Sequence, residues 1–316
     1  MPYKIALMWM AALILTGCHP KSLVLEPDLI YFPQERQFRM LPSDFPDLSK
    51  DELKEDWGKE LKIAIRFGRE LDLYRAITSY KRALFLLPYD KTDRQLQIEY
   101  SIILCYYLGH KYDEATNAFC DSHLSNISTS FPAFRDLVII LYDSYSEKGE
   151  EEKADAIYKL LEKGAPETAA NLEMYESIQE GDITKTFLLS DGYPQGEEIK
   201  NFLSCFGTEA KSVRTAQTLN AILPGAGYYY VGQTNSAITS FMINASFIAA
   251  SWYFFDHGNY GAAIIATSLE LGWYVGGING TGLAAKEWNQ YIYRTLGKEV
   301  LINIGIFPVL MIGASF

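Results

Sequence analysis

Residues that carry out chemistry are scarce. Histidine occurs four times (His19, His110, His123, His257) and cysteine four times. Neither type falls at metal-ligand spacing, and no Ser-His-acid set or pair of catalytic acids stands out. No glycine-rich loop ends in Lys-Ser or Lys-Thr, so the backbone cradle and ammonium that hold a phosphate are missing. No catalytic residues, cofactor or metal are therefore expected. Positive charge is short as well. The 28 Lys+Arg face 39 Asp+Glu, a net charge of -11, which is the wrong sign for a general nucleic-acid binder.

Charge of either sign is thin in the last third. From Ser212 onward Arg214, Lys286, Arg294 and Lys298 balance Asp256, Glu270, Glu287 and Glu299. The whole acidic excess lies earlier, and the composition changes near residue 210. A chain of 316 residues also exceeds one ordinary domain. The expected divisions are 1–17, 18–50, 51–190, 191–211, 212–299 and 300–316.

Residues 1–17 place Lys4 before an apolar run from Ile5 to Leu15, the layout of a secretory signal and too short for a comfortable span. Leu15-Thr16-Gly17-Cys18 resembles the lipobox of bacterial lipoproteins. The resemblance implies cleavage before Cys18 and its acylation, which gives a stable membrane anchor. His19 in place of Asp points to the outer rather than the inner membrane. Residues 18–50, with Pro20, Pro27, Pro33, Pro42 and Pro46, read as an extended tether. For Cys105, Cys120 and Cys205 a disulfide between the first two and inert buried thiols both stay open.

Between Glu60 and Gly164 a helical punctuation recurs. Ala64, Phe67, Ala76, Tyr80, Ala83 and Pro88 make one copy. Ile103, Tyr106, Gly109, Tyr112, Ala115 and Phe119 make a second; Tyr142, Tyr145, Gly149, Ala154, Tyr158 and Leu161 make a third. The offsets resemble the tetratricopeptide repeat (TPR), in which small residues let paired antiparallel helices approach. That resemblance implies an all-α solenoid over 51–190 whose surface binds proteins or peptides. Two further helices, 167–180 and 182–189, are expected to cap it, before the stretch DGYPQGEE breaks the pattern. Arg66, Arg69, Arg75, Lys81, Arg82 and Arg94 could form a basic strip, although scattered helix charge is usually a solvated face.

The stretch Leu219 to Phe247 contains LPGAGYYYVGQTNS and then runs apolar. Ala237–Phe255 and Tyr260–Ile278 each approach the ~20 residues that cross a hydrocarbon core, and four polar residues join them. A helical membrane hairpin is expected, with Trp252, Tyr253, Phe254 and Tyr260 at headgroup level. Gly272, Gly276 and Gly277, opposite Ser240, Asn244 and Ser251, are expected to let the arms pack closely. Leu223, Pro224, Gly225, Gly227, Tyr230 and Gly232 resemble the LPGAG-x-x-Y-x-G signature of small two-helix bacterial membrane modules of unknown role. Lipid contact is thus expected through Cys18 and residues 219–297. Glu270, the one acid within an arm, is expected to hydrogen-bond Asn244, Ser240 or Ser251, or else to handle protons or substrate. TGLAAKEWNQYIYRTLG reads as a separate amphipathic surface helix. The apolar stretch VLINIGIFPVLMIGASF fits either a further membrane contact or a strand docked on a partner.

Basic residues flank both ends of the hairpin, which by the positive-inside rule would put those ends in the cytoplasm. An acylated Cys18 places them in the periplasm, and the anchor outweighs the charge bias. Together these features resemble a bacterial TPR lipoprotein carrying an LPGAG-type module. The resemblance implies a non-enzymatic envelope scaffold, periplasm-facing and membrane-anchored, with the outer membrane favoured over the inner. A membrane transport or lipid-handling component that uses Glu270 is the alternative.

Overall fold

The computed structural model describes Leu25, Pro27 and residues 29–316, so the signal and Cys18 lie outside the described residues. The described chain is all-helical; its single β-bridge joins Ser43 to Ser315. It divides into two compact units.

One unit, a helical array, comprises Leu29–Ile178, Ile183–Lys200 and Gly297–Phe316. A short helix α1 (Glu35–Met40) precedes three antiparallel pairs. These are α2 (Asp56–Arg69) with α3 (Leu73–Leu86), α4 (Thr92–Leu108) with α5 (Tyr112–Cys120), and α6 (Phe134–Glu147) with α7 (Glu151–Gly164). α8 (Pro166–Gln179) and α9 (Ile183–Ser190) follow. The small residues singled out by the repeat pattern sit at the pair interfaces: Ala64, Ala76, Ala83 and Ala115 are wholly buried, as is Tyr80, and Ala154 is nearly so. Pro88, Gly109 and Gly149 lie at exposed helix ends. Each pair turns through one left-handed residue, at the evenly spaced positions Leu71, His110 and Gly149. In each turn the N–H of the next residue (Asp72, Lys111, Glu150) donates back to the carbonyl of Phe67, Tyr106 or Tyr145 at 2.9 Å. These bonds satisfy carbonyls that the first helix of the pair leaves open.

Residues 29–50 do not behave as the expected tether, because their apolar side chains find a core. Leu29 and Phe38 are buried, and the Phe45 ring lies 5.7 Å from both Tyr100 and Phe131. Buried Arg94 fastens the following stretch. It donates to the carbonyls of Pro46 (2.7 Å) and Asp47 (3.0 Å) and pairs with Glu52 at 2.8 Å. That guanidinium holds the Glu52 carboxyl well down, at about 2.

The other unit, the hairpin module, comprises Leu25 and Pro27 with Gln179–Asp182 and Asn201–Leu296. α10 (Gly196–Glu209) occupies most of what the sequence suggested as a linker, 191–211. After it come α11 (Val213–Ile222), α12 (Ala226–Tyr230), α13 (Thr234–Asp256) and α14 (Tyr260–Ile304). α14 is one continuous helix where an apolar arm and a separate surface helix were expected. Isolated glycines cost a helix about 1 kcal/mol each without ending it, and some of those in α14 make room for neighbours. Gly280 faces the Tyr228 hydroxyl, and a Cβ at Gly282 would stand 2.6 Å from the Gln217 amide.

α13 and α14 are long and apolar enough to cross a membrane, and only 6% of the most apolar stretch of α13 is buried. That exposure is unlike a core helix of a water-soluble fold, which hides its apolar surface. Trp252, Tyr253 and Tyr260 face outward around the connecting turn.

Candidate functional site

The most elaborate recognition in the array concerns the apolar segment after α14. Gly305, left-handed at φ 73°, ends the helix, and Pro308 opens the short α15 (Pro308–Met311). From Ile312 the backbone is extended and its polar groups need partners. Helix side chains supply them. The Asp136 carboxylate on α6 accepts from the consecutive N–H groups of Gly313 (2.8 Å) and Ala314 (3.0 Å). Its neighbour Arg135 donates to the Met311 carbonyl at 3.1 Å, and Arg69 on α2 donates to that of Phe316 at 3.1 Å. Ser315 pairs with the 41–43 strand-like stretch, donating from N–H to Pro42 (2.8 Å) and from Oγ to Leu41 (3.0 Å). Asp136 is buried, which pushes its pKa up; the two N–H donors and Arg135 pull the other way.

The end of the segment fills a shaped slot. Phe316 is 1% exposed and stacks near Tyr80, ring centroids 6.2 Å apart. Gly68 makes the space: a Cβ there would lie 2.6 Å from the Phe316 ring. Of the two readings the sequence left open, the segment neither stays free for lipid nor awaits another chain. It docks on its own array.

The basic strip is not assembled. Arg94 and Arg69 are consumed as described, while Arg66 pairs with Glu70, Arg75 with Asp72 and Arg82 with Glu60. Lys81 donates to the Tyr106 hydroxyl at 3.0 Å. What α3 does present is apolar: Tyr74 and Phe85 are exposed and rim a surface cavity of about 630 Å³, and Tyr89 just after the helix is exposed too.

In the hairpin module the LPGAG signature is a packing device. Gly225 adopts φ 91°, and its N–H donates to Asn220 Oδ1 at 2.8 Å. At Gly227 a Cβ would stand 2.8 Å from Thr281 and 2.9 Å from Asn220, so only glycine lets α12 lie against α11 and α14. The Tyr230 hydroxyl accepts from the Ser212 N–H at 3.1 Å, Gly232 supplies the left-handed end of α12, and Leu223 and Pro224 form the turn before it. Asn289 clamps the entrance of α11 by bonding both the N–H (2.7 Å) and the carbonyl (2.9 Å) of Lys211.

Of the expected close-packing glycines, Gly277 alone lies at the crossing, 3.8 Å from Ser240 Oγ by its would-be Cβ; Gly272 and Gly276 face open space. Asn244 is buried and donates to the Ser240 carbonyl at 2.6 Å. The expected bond from Glu270 is not formed: its Oε2, Ser251 Oγ and Asn244 Oδ1 all lack a partner. On Asn244 the amide N–H is already taken by the Ser240 carbonyl of its own helix. A cleft of about 570 Å³ between α13 and α14 is lined by Ser236, Thr239, Ser240 and Gly277.

No group of three or more His, Cys, Asp or Glu among the described residues could hold a metal, and Cys105, Cys120 and Cys205 are free thiols. Asp136, Arg135, Gly68 and Asn289 escaped the sequence reading because a lone Arg-Asp or Gly-Arg dipeptide, or a single Asn, on a helix carries no spacing signal. Asn220 was within reach, five residues before Gly225 of the signature. Comparison of the chain with protein-family models, curated proteins and solved structures finds no match.

Proposed function

We propose that this chain is a membrane-attached, non-enzymatic scaffold whose TPR-like array holds proteins, with Cys18 acylated and α13 and α14 in contact with lipid. The supporting observation is that helix side chains of the array bind the main chain of an extended segment, the way a peptide-binding surface does. In the same polypeptide two exposed apolar helices favour a lipid environment. The lipobox-like Leu15-Thr16-Gly17-Cys18 adds a periplasm-facing envelope location, with the outer membrane favoured. The exposed Tyr74 and Phe85 offer a second contact surface, since aromatic anchors dominate such interfaces. A photo-crosslinking residue at Tyr74 or Phe85 in cells should yield discrete adducts with protein partners. Uniform absence of adducts from both positions would remove the reading.

A second reading has its own support, the unpartnered Oε2 of Glu270 on the apolar part of α14. If the hairpin carries protons or substrate, Glu270→Gln abolishes function in cells at normal abundance. If the chain is a scaffold, the variant keeps the crosslinked adducts and the function.

A further inference from the structure

We infer that the slot formed by Gly68, Arg69, Tyr80, Arg135 and Asp136 is a binding site for an extended peptide carrying two small residues, a hydroxyl residue and an aromatic one, and that residues 313–316 fill it in cis. This rests on the scaffold reading and names the chemistry of its ligand.

The slot reads mainly backbone. Asp136 takes two consecutive N–H groups, Arg135 and Arg69 each take a carbonyl, and Pro42 takes a further N–H. Every extended peptide offers those groups, so they supply affinity without requiring this segment in particular. Selectivity comes from the side chains. Ala314 is wholly buried, so a larger side chain has no room there, while a Cβ at Gly313 would meet Arg135 and Asp136 only at 3.8–4.0 Å and admits another small residue. The Ser315 hydroxyl reaches the Leu41 carbonyl. Phe316 enters a space that exists because residue 68 has no Cβ. A helix gains nothing from an interior glycine, which is about 1 kcal/mol worse than alanine there. Gly68 is therefore explained by what lies above it, the aromatic ring.

The segment is joined to α14 through the left-handed Gly305, so it competes as a tethered ligand with an effective concentration of order mM. A partner peptide of the same chemistry has to displace it, and weakening the tethered copy exposes the site.

The test uses the full chain in detergent micelles and a fluorescein-labelled peptide of residues 307–316, with binding read by anisotropy. The unaltered chain should bind weakly. Phe316→Ala, which removes the anchor of the tethered copy, should bind the peptide about tenfold more tightly or better. Adding Gly68→Ala to that variant should abolish the gain, because the new methyl occupies the ring's place while favouring α2. A peptide whose last Phe is replaced by Ala should not bind. Should the Gly68→Ala variant lose its helical circular dichroism, Asp136→Asn in the Phe316→Ala background takes its place and should cost at least tenfold. No gain with Phe316→Ala, or a gain that neither second change reverses, overturns the inference. The crosslinks at Tyr74 and Phe85 do not use the slot, so they persist if this inference fails and the scaffold reading holds.

Discussion

At the residue scale the array carries one buried charge problem whose resolution depends on pH. Asp143 on α6 is buried, and its Oδ2 accepts from the Tyr107 hydroxyl at 2.6 Å. Burial raises its pKa from 3.8 to about 7; the Tyr107 hydrogen bond lowers it, and nearby Glu147 raises it further. The folded state therefore holds this proton more tightly than the unfolded chain. Its favourable contribution is complete below the unfolded value, shrinks as pH rises and is gone above about 7. Each unit is worth about 1.4 kcal/mol, so the loss amounts to up to about 4 kcal/mol. Asp143→Asn keeps an acceptor for Tyr107 and carries no charge. It should stabilise the protein by a few kcal/mol at pH 8 and hardly at all at pH 4. Chemical unfolding at the two pH values checks this, and equal effects at both would contradict the assignment.

At the scale of elements, the repeated turn explains how much of the fold the sequence reveals. The small residues Ala64, Ala76, Ala83 and Ala115 recur at helical spacing because paired helices need them at their crossings, so the pairs are readable from local pattern. The turn within each pair is less readable. Its left-handed residue is Leu at 71 and His at 110, types that normally avoid that region, and a glycine only at 149. The docked segment was not readable at all. IGASF is apolar enough for lipid or for a groove, and the bond from Arg69 to Phe316 spans nearly the whole array in sequence, beyond any periodicity. Glu270 failed similarly: the sequence supplied plausible partners, yet Glu270 Oε2, Ser251 Oγ and Asn244 Oδ1 all stay unpaired, and the Asn244 N–H bonds inside its own helix. Two glycines test the turn argument with opposite signs. Gly149 has φ 71° and open space where a Cβ would stand, so Gly149→Ala should cost about 1 kcal/mol from backbone strain alone. Gly164, helical and equally open, should gain roughly 0.5–1 kcal/mol on change to Ala. Thermal midpoints moving in the same direction for both would show that something other than backbone conformation decides these positions.

For the whole molecule the question is whether lipid attachment needs Cys18. Two attachments are proposed, an acylated cysteine and a pair of exposed apolar helices, and either could suffice. Acyl chains contribute about 0.8 kcal/mol per buried CH₂. The helices carry the larger apolar area, with Ile248 on α13 and Leu269 on α14 both more than half exposed near the middle of their spans. Mutating Cys18 alone does not separate the two, because an uncleaved signal becomes an anchor itself. Replacing residues 1–18 with a cleavable secretory leader that is not lipidated leaves the hairpin as the sole attachment. That chain should stay in the membrane fraction through carbonate extraction. Adding Ile248→Asp and Leu269→Asp introduces a cost of about 2.5–3.5 kcal/mol for each acid at mid-span. The doubly substituted chain should leave the membrane, while the same two substitutions on the lipidated chain should be held by Cys18. Release of the hairpin-only chain without the Asp substitutions would mean that α13 and α14 lie against another protein surface. The scaffold would then hang from the membrane by its cysteine alone.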